Sequence, residues 1–249
     1  VAGVYGAGLQ TVGAVGVAVA LNSLKSFNNV TVEKSNIVSS GGVSVKSESS
    51  PEIKSQAIGI AVTGAIGGSK VIGFAGVGSA AKNIFNNQVE VAVNGRKSAA
   101  KPSIDAAGDA IAIQVEAIDR SVINATAGGL AFSFQSGLIG GTAAGAVGVA
   151  IAINKIGTED IIIYGNSWDS ESYVKTQAKD ALLKTVKGSV SLKADSKPVI
   201  YSWSFAGAGA GAKGSGGLAG AGAGAGAGAY NELKQTIMVS VSNTKINSG

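Results

Sequence analysis

Three stretches of this chain align without gaps: Val43–Val62 (VSVKSESSPEIKSQAIGIAV), Ile113–Phe132 (IQVEAIDRSVINATAGGLAF) and Val190–Gly209 (VSLKADSKPVIYSWSFAGAG). Each opens on two apolar residues two positions apart, Val43/Val45, Ile113/Val115 and Val190/Leu192. Further along stand Ile53, Ile123 and Ile200, with Pro51 and Pro198 in a shared column. A second landmark keeps the same rhythm. Ala/Gly/Val runs end at Asn22, Asn83, Asn154 and Asn231, which marks quasi-repeat units at about 22–83, 83–154 and 154–231. A long-period repeat implies an array in which each unit buries its apolar face only against its neighbours.

Within the repeats, apolar residues alternate with small or polar ones. Val15–Val17–Val19, Ile58–Ile60–Val62, Val89–Val91–Val93 and Val147–Val149–Ile151–Ile153 all follow period 2, the signal of strands with one face inward. The breaks are Asn-Asn, Ser-Ser-Gly-Gly, Asn-Gly and Gly-Asn-Ser, few of which make two-residue hairpins. The pattern predicts an all-β chain, a right-handed parallel β-helix running as one continuous unit over 1–249. Coils of roughly 20–25 residues would place about three coils in each repeat, or about eleven rungs in a rod on the order of 50 Å long. The chain begins and ends inside repeat units, so it reads as a fragment of a longer protein, and its open ends point to end-to-end self-association.

Two segments need separate readings. The run Ala206–Ala229 has the composition of a flexible linker, but its strict Ala/Gly alternation and its alignment with Ile58–Val62 favour strands with tiny side chains. Glycine at that density suggests that two backbones approach closely. Asp169–Gly188 (DSESYVKTQAKDALLKTVKG) breaks the rhythm: acids come first, lysines later, and Tyr173, Val174, Ala178, Leu182 and Val186 recur at helical spacing. This predicts a short external helix near 170–187, capped by Gly188.

Composition removes several functions. The 249 residues contain no Cys and no His, which excludes disulfides, Cys/His metal sites and histidine acid–base chemistry. A net charge of +5 carried on dispersed lysines gives no basic stripe for nucleic acid, so no nucleic-acid partner is expected. Gly209–Gly214 (GAGAKG) matches G-x-G-x-x-G, but it lies inside an Ala/Gly run without a strand–turn–helix context, so no cofactor is expected. Acidic residues pair at Glu48/Glu52, Glu159/Asp160 and Asp169/Glu171, and paired carboxylates can cleave glycosidic bonds. Each pair here is flanked by Ser or Lys on a turn, which reads as solvated charge. No catalytic or metal-binding residue is expected, and the chain reads as a non-enzyme. Ser121–Asn154 carries no charge and is long enough to cross a bilayer, yet its period of 2 favours buried strands over a spanning helix.

Aromatic residues concentrate in Tyr164–Tyr173 (YGNSWDSESY), with Tyr201, Trp203 and Phe205 one unit on. Tyr164, Trp168 and Tyr173 are therefore the candidate partner-binding residues, since contact surfaces use exposed Tyr and Trp beside polar groups. An equally good reading makes them a ladder that fills the core.

Gly13–Asn22 (GAVGVAVALN), Gly145–Ile156 (GAVGVAIAINKI) and Ala221–Leu233 (AGAGAGAGAYNEL) resemble the repeats of giant bacterial surface exoproteins, nearest to fusobacterial leukotoxins and leukotoxin-type filamentous adhesins. The resemblance is one of repeat texture and covers essentially the whole chain. It implies a secreted or surface-displayed β-helical passenger exported by an outer-membrane partner. The expected function is contact with host cells, leukocytes or epithelial cells, contributing to cytotoxicity and virulence. A structural stalk that displays another domain is the alternative, and a polysaccharide-active enzyme a lesser one. The resemblance brings no functional residues with it.

Overall fold

The structure, a computed structural model, describes residues 2–6, 8–95, 103–157 and 171–248. Every regular element among them is a β-strand, and every strand pair is parallel. After β1 (Ala2–Gly6), the chain makes successive circuits through four sheets. The first is β2 (Gln10–Glu33), β3 (Ile37–Ser39), β4 (Val43–Ser49) and β5 (Glu52–Gly67). The second is β6 (Val71–Asn94), β7 (Ile104–Ala106), β8 (Ile111–Asp119) and β9 (Val122–Gly137). The third is β10 (Thr142–Ile156), β11 (Tyr173–Lys179), β12 (Leu182–Thr185), β13 (Ser189–Ser196) and β14 (Val199–Gly214). A last part-circuit is β15 (Ala219–Leu233), β16 (Thr236–Ser242) and β17 (Lys245–Asn247).

Equivalent strands stack directly. One sheet runs β1-β5-β9-β14, a second β17-β12-β7-β3 and a third β13-β8-β4. The fourth holds β2 on β6, with β10 and β11 on the other edge of β6, and then β15 and β16. The sequence columns are the ladder columns. Val43, Ile113 and Val190 pair, as do Ile53, Ile123 and Ile200.

Two expectations need correction. Each repeat is a single circuit rather than about three coils. The long strands β2 and β6 run for 24 residues without a break, so one unit is consumed by one turn of chain. The predicted helix near 170–187 is instead β11 and β12, joined at Asp180, whose φ is +51°. The same residues satisfy period 2: Val174, Thr176 and Ala178 point inward and are fully buried, and β11 is held between β6 and β16. Tertiary pairing overrides the helical spacing. Gly188 does adopt a positive φ, +74°, but at a strand-to-strand turn.

The circuit encloses two kinds of core. Around β4, β7, β8, β11, β12 and the second half of β6 lies an aliphatic lobe that includes Val89, Val91, Val93, Ile104, Ile113 and Leu183. Beyond it, β5, β9 and β14 lie flat against the first half of β2, β6, β10 and β15 as a two-layered slab. Its hydrophobic interior is mostly alanine, for example Ala57, Ala81, Ala125, Ala127, Ala150 and Ala152, with Val77 and a buried Thr63–Ser133 pair farther along. The backbones are correspondingly close. A Cβ added at Gly148 would stand 2.5 Å from the Gly207 carbonyl oxygen, and one at Gly129 2.8 Å from that of Val149.

An asparagine ladder divides slab from lobe. Asn22, Asn83, Asn154 and Asn231 share one column, and each Nδ2 donates to the Oδ1 of the next at 3.0, 2.9 and 3.2 Å. The second N–H reaches across the slab to the carbonyls of Lys54, Asn124 and Tyr201 at 2.7, 2.7 and 2.5 Å. Each interior amide therefore spends both donors inside the fold, as a buried polar group must.

Candidate contact surface

Of the three aromatic candidates, Tyr164 and Trp168 lie outside the described residues, as do Glu159, Asp160 and Asp169. Tyr173 opens β11, half-buried between Gln88 and Thr236. Burial raises its phenol above the usual range, and the nearby Glu90 carboxylate adds to this. Glu90 is also bound by Lys175 at 3.2 Å, so Tyr173 belongs to a braced side-chain row on the lobe.

The described acids do not converge. Glu48 lies 2.7 Å from Lys46 and Glu52 2.6 Å from Lys54, each pair within one strand. Lys46 holds the Glu48 carboxyl below its ordinary range. Glu171 contributes its carbonyl, which accepts a hydrogen bond from Gln88. No group of three or more acids able to hold a metal occurs among the described residues.

One carboxylate that sequence reasoning missed is Asp119, fully buried where β8 turns into β9. It accepts from Asn87 Nδ2 at 2.8 Å, the Ser121 amide at 3.0 Å and Gln235 Nε2 at 2.8 Å. Ser121 Oγ donates to the same carboxylate. These donors come from three separate segments, so Asp119 fastens the neck between lobe and slab. Nothing in its local sequence marks it, because most of its partners are remote.

A run of three exposed aromatic residues lies elsewhere, on the outer face of β14. Tyr201, Trp203 and Phe205 are 58%, 76% and 42% exposed, and alternation puts all three on one side. Their columns are polar at first, Lys54–Asn124–Tyr201 and Gln56–Thr126–Trp203, then apolar at Ile58–Gly128–Phe205. Farther along, large residues lean over glycines of the next strand. The Phe205 ring covers Gly128, while Leu130, Phe132 and Phe134 lie against Gly207, Gly209 and Gly211. Phe132 and Phe134 stack in parallel, with ring centroids 6.4 Å apart. A groove of about 770 Å³ follows, floored by Gly3, Gly64 and Gly211 between Ile66, Phe134 and Lys213.

The opposite face of the slab is also apolar. Val15, Gly76, Val147 and Gly224 form one column and Val17, Gly78, Val149 and Gly226 the next, so rows of valine alternate with rows of glycine. The acid-free stretches of the sequence, which carry only scattered lysines, converge here. No Asp or Glu occurs in 8–32, 55–89, 121–157 or 199–231. A polar lobe thus carries an apolar slab whose two outer faces have no cover among the described residues.

Against protein-family models, curated proteins and solved structures alike, the chain finds no match.

Proposed function

We propose that the chain is a right-handed parallel β-helix with long coils, acting as a non-catalytic contact module of a secreted or surface-displayed bacterial leukotoxin or adhesin. The handedness rests on the steric rule that parallel crossovers are right-handed in about 98% of cases. The surface reading rests on a single observation, the ledge Tyr201–Trp203–Phe205, which holds three large aromatics outward with polar neighbours at one end. Aromatic side chains offer large contact area at low entropy cost, the property that contact anchors require. The partner in this reading is a host cell, leukocyte or epithelial, and export across the outer membrane by a partner protein would deliver the module.

Saturable binding of the labelled, folded protein to leukocytes is the expected result. It should fall at least about tenfold in the doubly substituted Tyr201→Ala, Trp203→Ala protein. Binding unchanged by those substitutions would remove the ledge from the reading.

A structural stalk is the second reading. It is favoured by the unpaired strand edges of β2 and β15 and by the ladder ends: neither Asn22 Oδ1 nor Asn231 Nδ2 has a ladder neighbour beyond it among the described residues. Such ends suit continuation by further repeats or by end-to-end copies. Absence of cell binding by a folded protein would select this reading.

A further inference from the structure

We propose that the turn end of the slab is a lipid-interface wedge: its apolar turn residues enter the headgroup region of an anionic bilayer while the lobe stays in water. This goes beyond the aromatic ledge and uses different residues. Four reversals stack at that end, where Gly6, Gly67, Gly137 and Gly214 share a column and each closes a strand ahead of a turn. The turns carry Leu9, Leu138, Ile139 and Leu218, which are 68%, 64%, 72% and 91% exposed. A soluble surface has no use for four large aliphatic residues on three of four stacked turns, whereas an interfacial anchor does.

Two independent features commit the site to lipid. The first is charge. Lys70 sits in the turn between β5 and β6 and Lys213 near the end of β14, both exposed, and the four turns contain no acidic residue. Cations beside an apolar tip suit anionic headgroups, each contributing through the surface potential. The second is backbone satisfaction, which lipid demands more strictly than water does. The amides of Leu138 and Ile139 donate to the carbonyls of Gly67 and Gly68 at 3.0 and 3.1 Å. Those of Val71 and Thr142 donate to Gly141 and Leu218 at 3.1 and 3.0 Å, and Ser215 Oγ closes on the Leu138 carbonyl. Bonds between successive turns thus already satisfy part of the tip's backbone, and the headgroup region, which is still hydrated, can solvate the rest. The slab as a whole cannot enter a bilayer, because β14 and β15 present unpaired edges that hydrocarbon would not tolerate. The wedge is thus limited to the tip, with the apolar groove beside Phe134 and Lys213 at the water line.

The test is flotation of the full chain with protein-free vesicles of phosphatidylcholine, with and without phosphatidylglycerol. Co-flotation with the anionic vesicles is expected. It should weaken at least about tenfold for the triple variant Leu138→Ser, Ile139→Ser, Leu218→Ser, and become insensitive to phosphatidylglycerol for Lys70→Glu, Lys213→Glu. A tryptophan reporter, Leu138→Trp, should shift its emission to the blue and be quenched by brominated lipid. Flotation that is absent, or unaltered by the tip substitutions, overturns the wedge. So does a reporter signal that changes only with protein concentration, which would make the tip a contact between copies. Because the vesicles hold no receptor, failure here leaves the ledge reading standing, and failure at the ledge leaves this one.

Discussion

At the scale of single residues, position within the array decides what a side chain is worth. Asn83 is fully buried, with a ladder neighbour on each side and the Asn124 carbonyl as its third partner. Asn83→Ala would remove a donor from the Asn124 carbonyl and break both ladder bonds. It should cost about 2–4 kcal/mol in urea unfolding, while Asn231→Ala at the exposed end should cost about 1 kcal/mol or less. Equal losses would mean that the ladder acts as isolated bonds rather than as a buried chain. Glycines divide in the same way. At Gly148 an added methyl meets the Gly207 carbonyl at 2.5 Å, so Gly148→Ala should destabilise by about 1–3 kcal/mol. At Gly226 nothing lies within 4 Å, and Gly226→Ala should be neutral or stabilise by up to about 1 kcal/mol through the unfolded chain. The small residues of the Ala/Gly run therefore have two origins. Alanine on the inner face lets the backbones close, while the outer-face glycines of β14, Gly207, Gly209 and Gly211, receive Leu130, Phe132 and Phe134 of the neighbouring strand; the glycines of β15 meet no such residue.

At the scale of elements, strand identity and register were legible in the sequence, and the length of a circuit was not. The columns of Val43, Ile53 and Asn83 are set by period-2 alternation that repeats, which local sequence records directly. What local sequence does not record is whether β6 folds back at its middle. Val71–Asn94 passes from slab to lobe at Asn86–Asn87, an Asn-Asn pair that reads locally as a break yet lies inside a continuous strand with both residues buried, so the local signal points to a shorter circuit than the chain makes. The stretch 173–185 reads as a helix for the converse reason. Val174 and Ala178 satisfy both periods, and only pairing with Val89 and Val93 selects the strand. Of the contact surface, the acid-free stretches and Trp203 were readable. Their convergence into one slab was not, since it depends on circuit length. Between β8 and β13 an ion cluster adds a pH-dependent prediction. The Arg120 guanidinium, 2.6 Å from Asp195, holds that carboxyl below its ordinary range, with Lys197 and Lys193 assisting. A depressed carboxyl contributes stability above its unfolded value of about 3.9, and that contribution is lost as pH falls through the folded value. Asp195→Asn should therefore lower the urea midpoint at neutral pH. The gap from the unsubstituted protein should close below about pH 4. A gap that persists in acid would assign the loss to packing instead.

At the scale of the whole molecule, stability should be graded along the stack. Each circuit is supported only by the one before and the one after, so the opening free energy follows the number of neighbours rather than the local sequence. The second circuit has both. In it Val89, Val91, Val93, Ile113 and Ile123 are completely buried. The last part-circuit has one neighbour, and its equivalent residues Ile237, Val239 and Val241 are 53%, 48% and 49% exposed. Amide hydrogen exchange should therefore be slowest in β6, β8 and β9 and markedly faster in β15 and β16, although β15 is bonded to β10 along its full length. Deleting residues 219–249 should shorten the array without unfolding it, leaving the protection of β6 and β9 nearly intact. One common exchange rate for all strands, or collapse of the shortened chain, would show a single cooperative unit in place of a stack. The same gradient bears on contact with cells or lipid. The ledge on β14 and the turn at Leu218 both lie toward the less protected end, where local opening costs least.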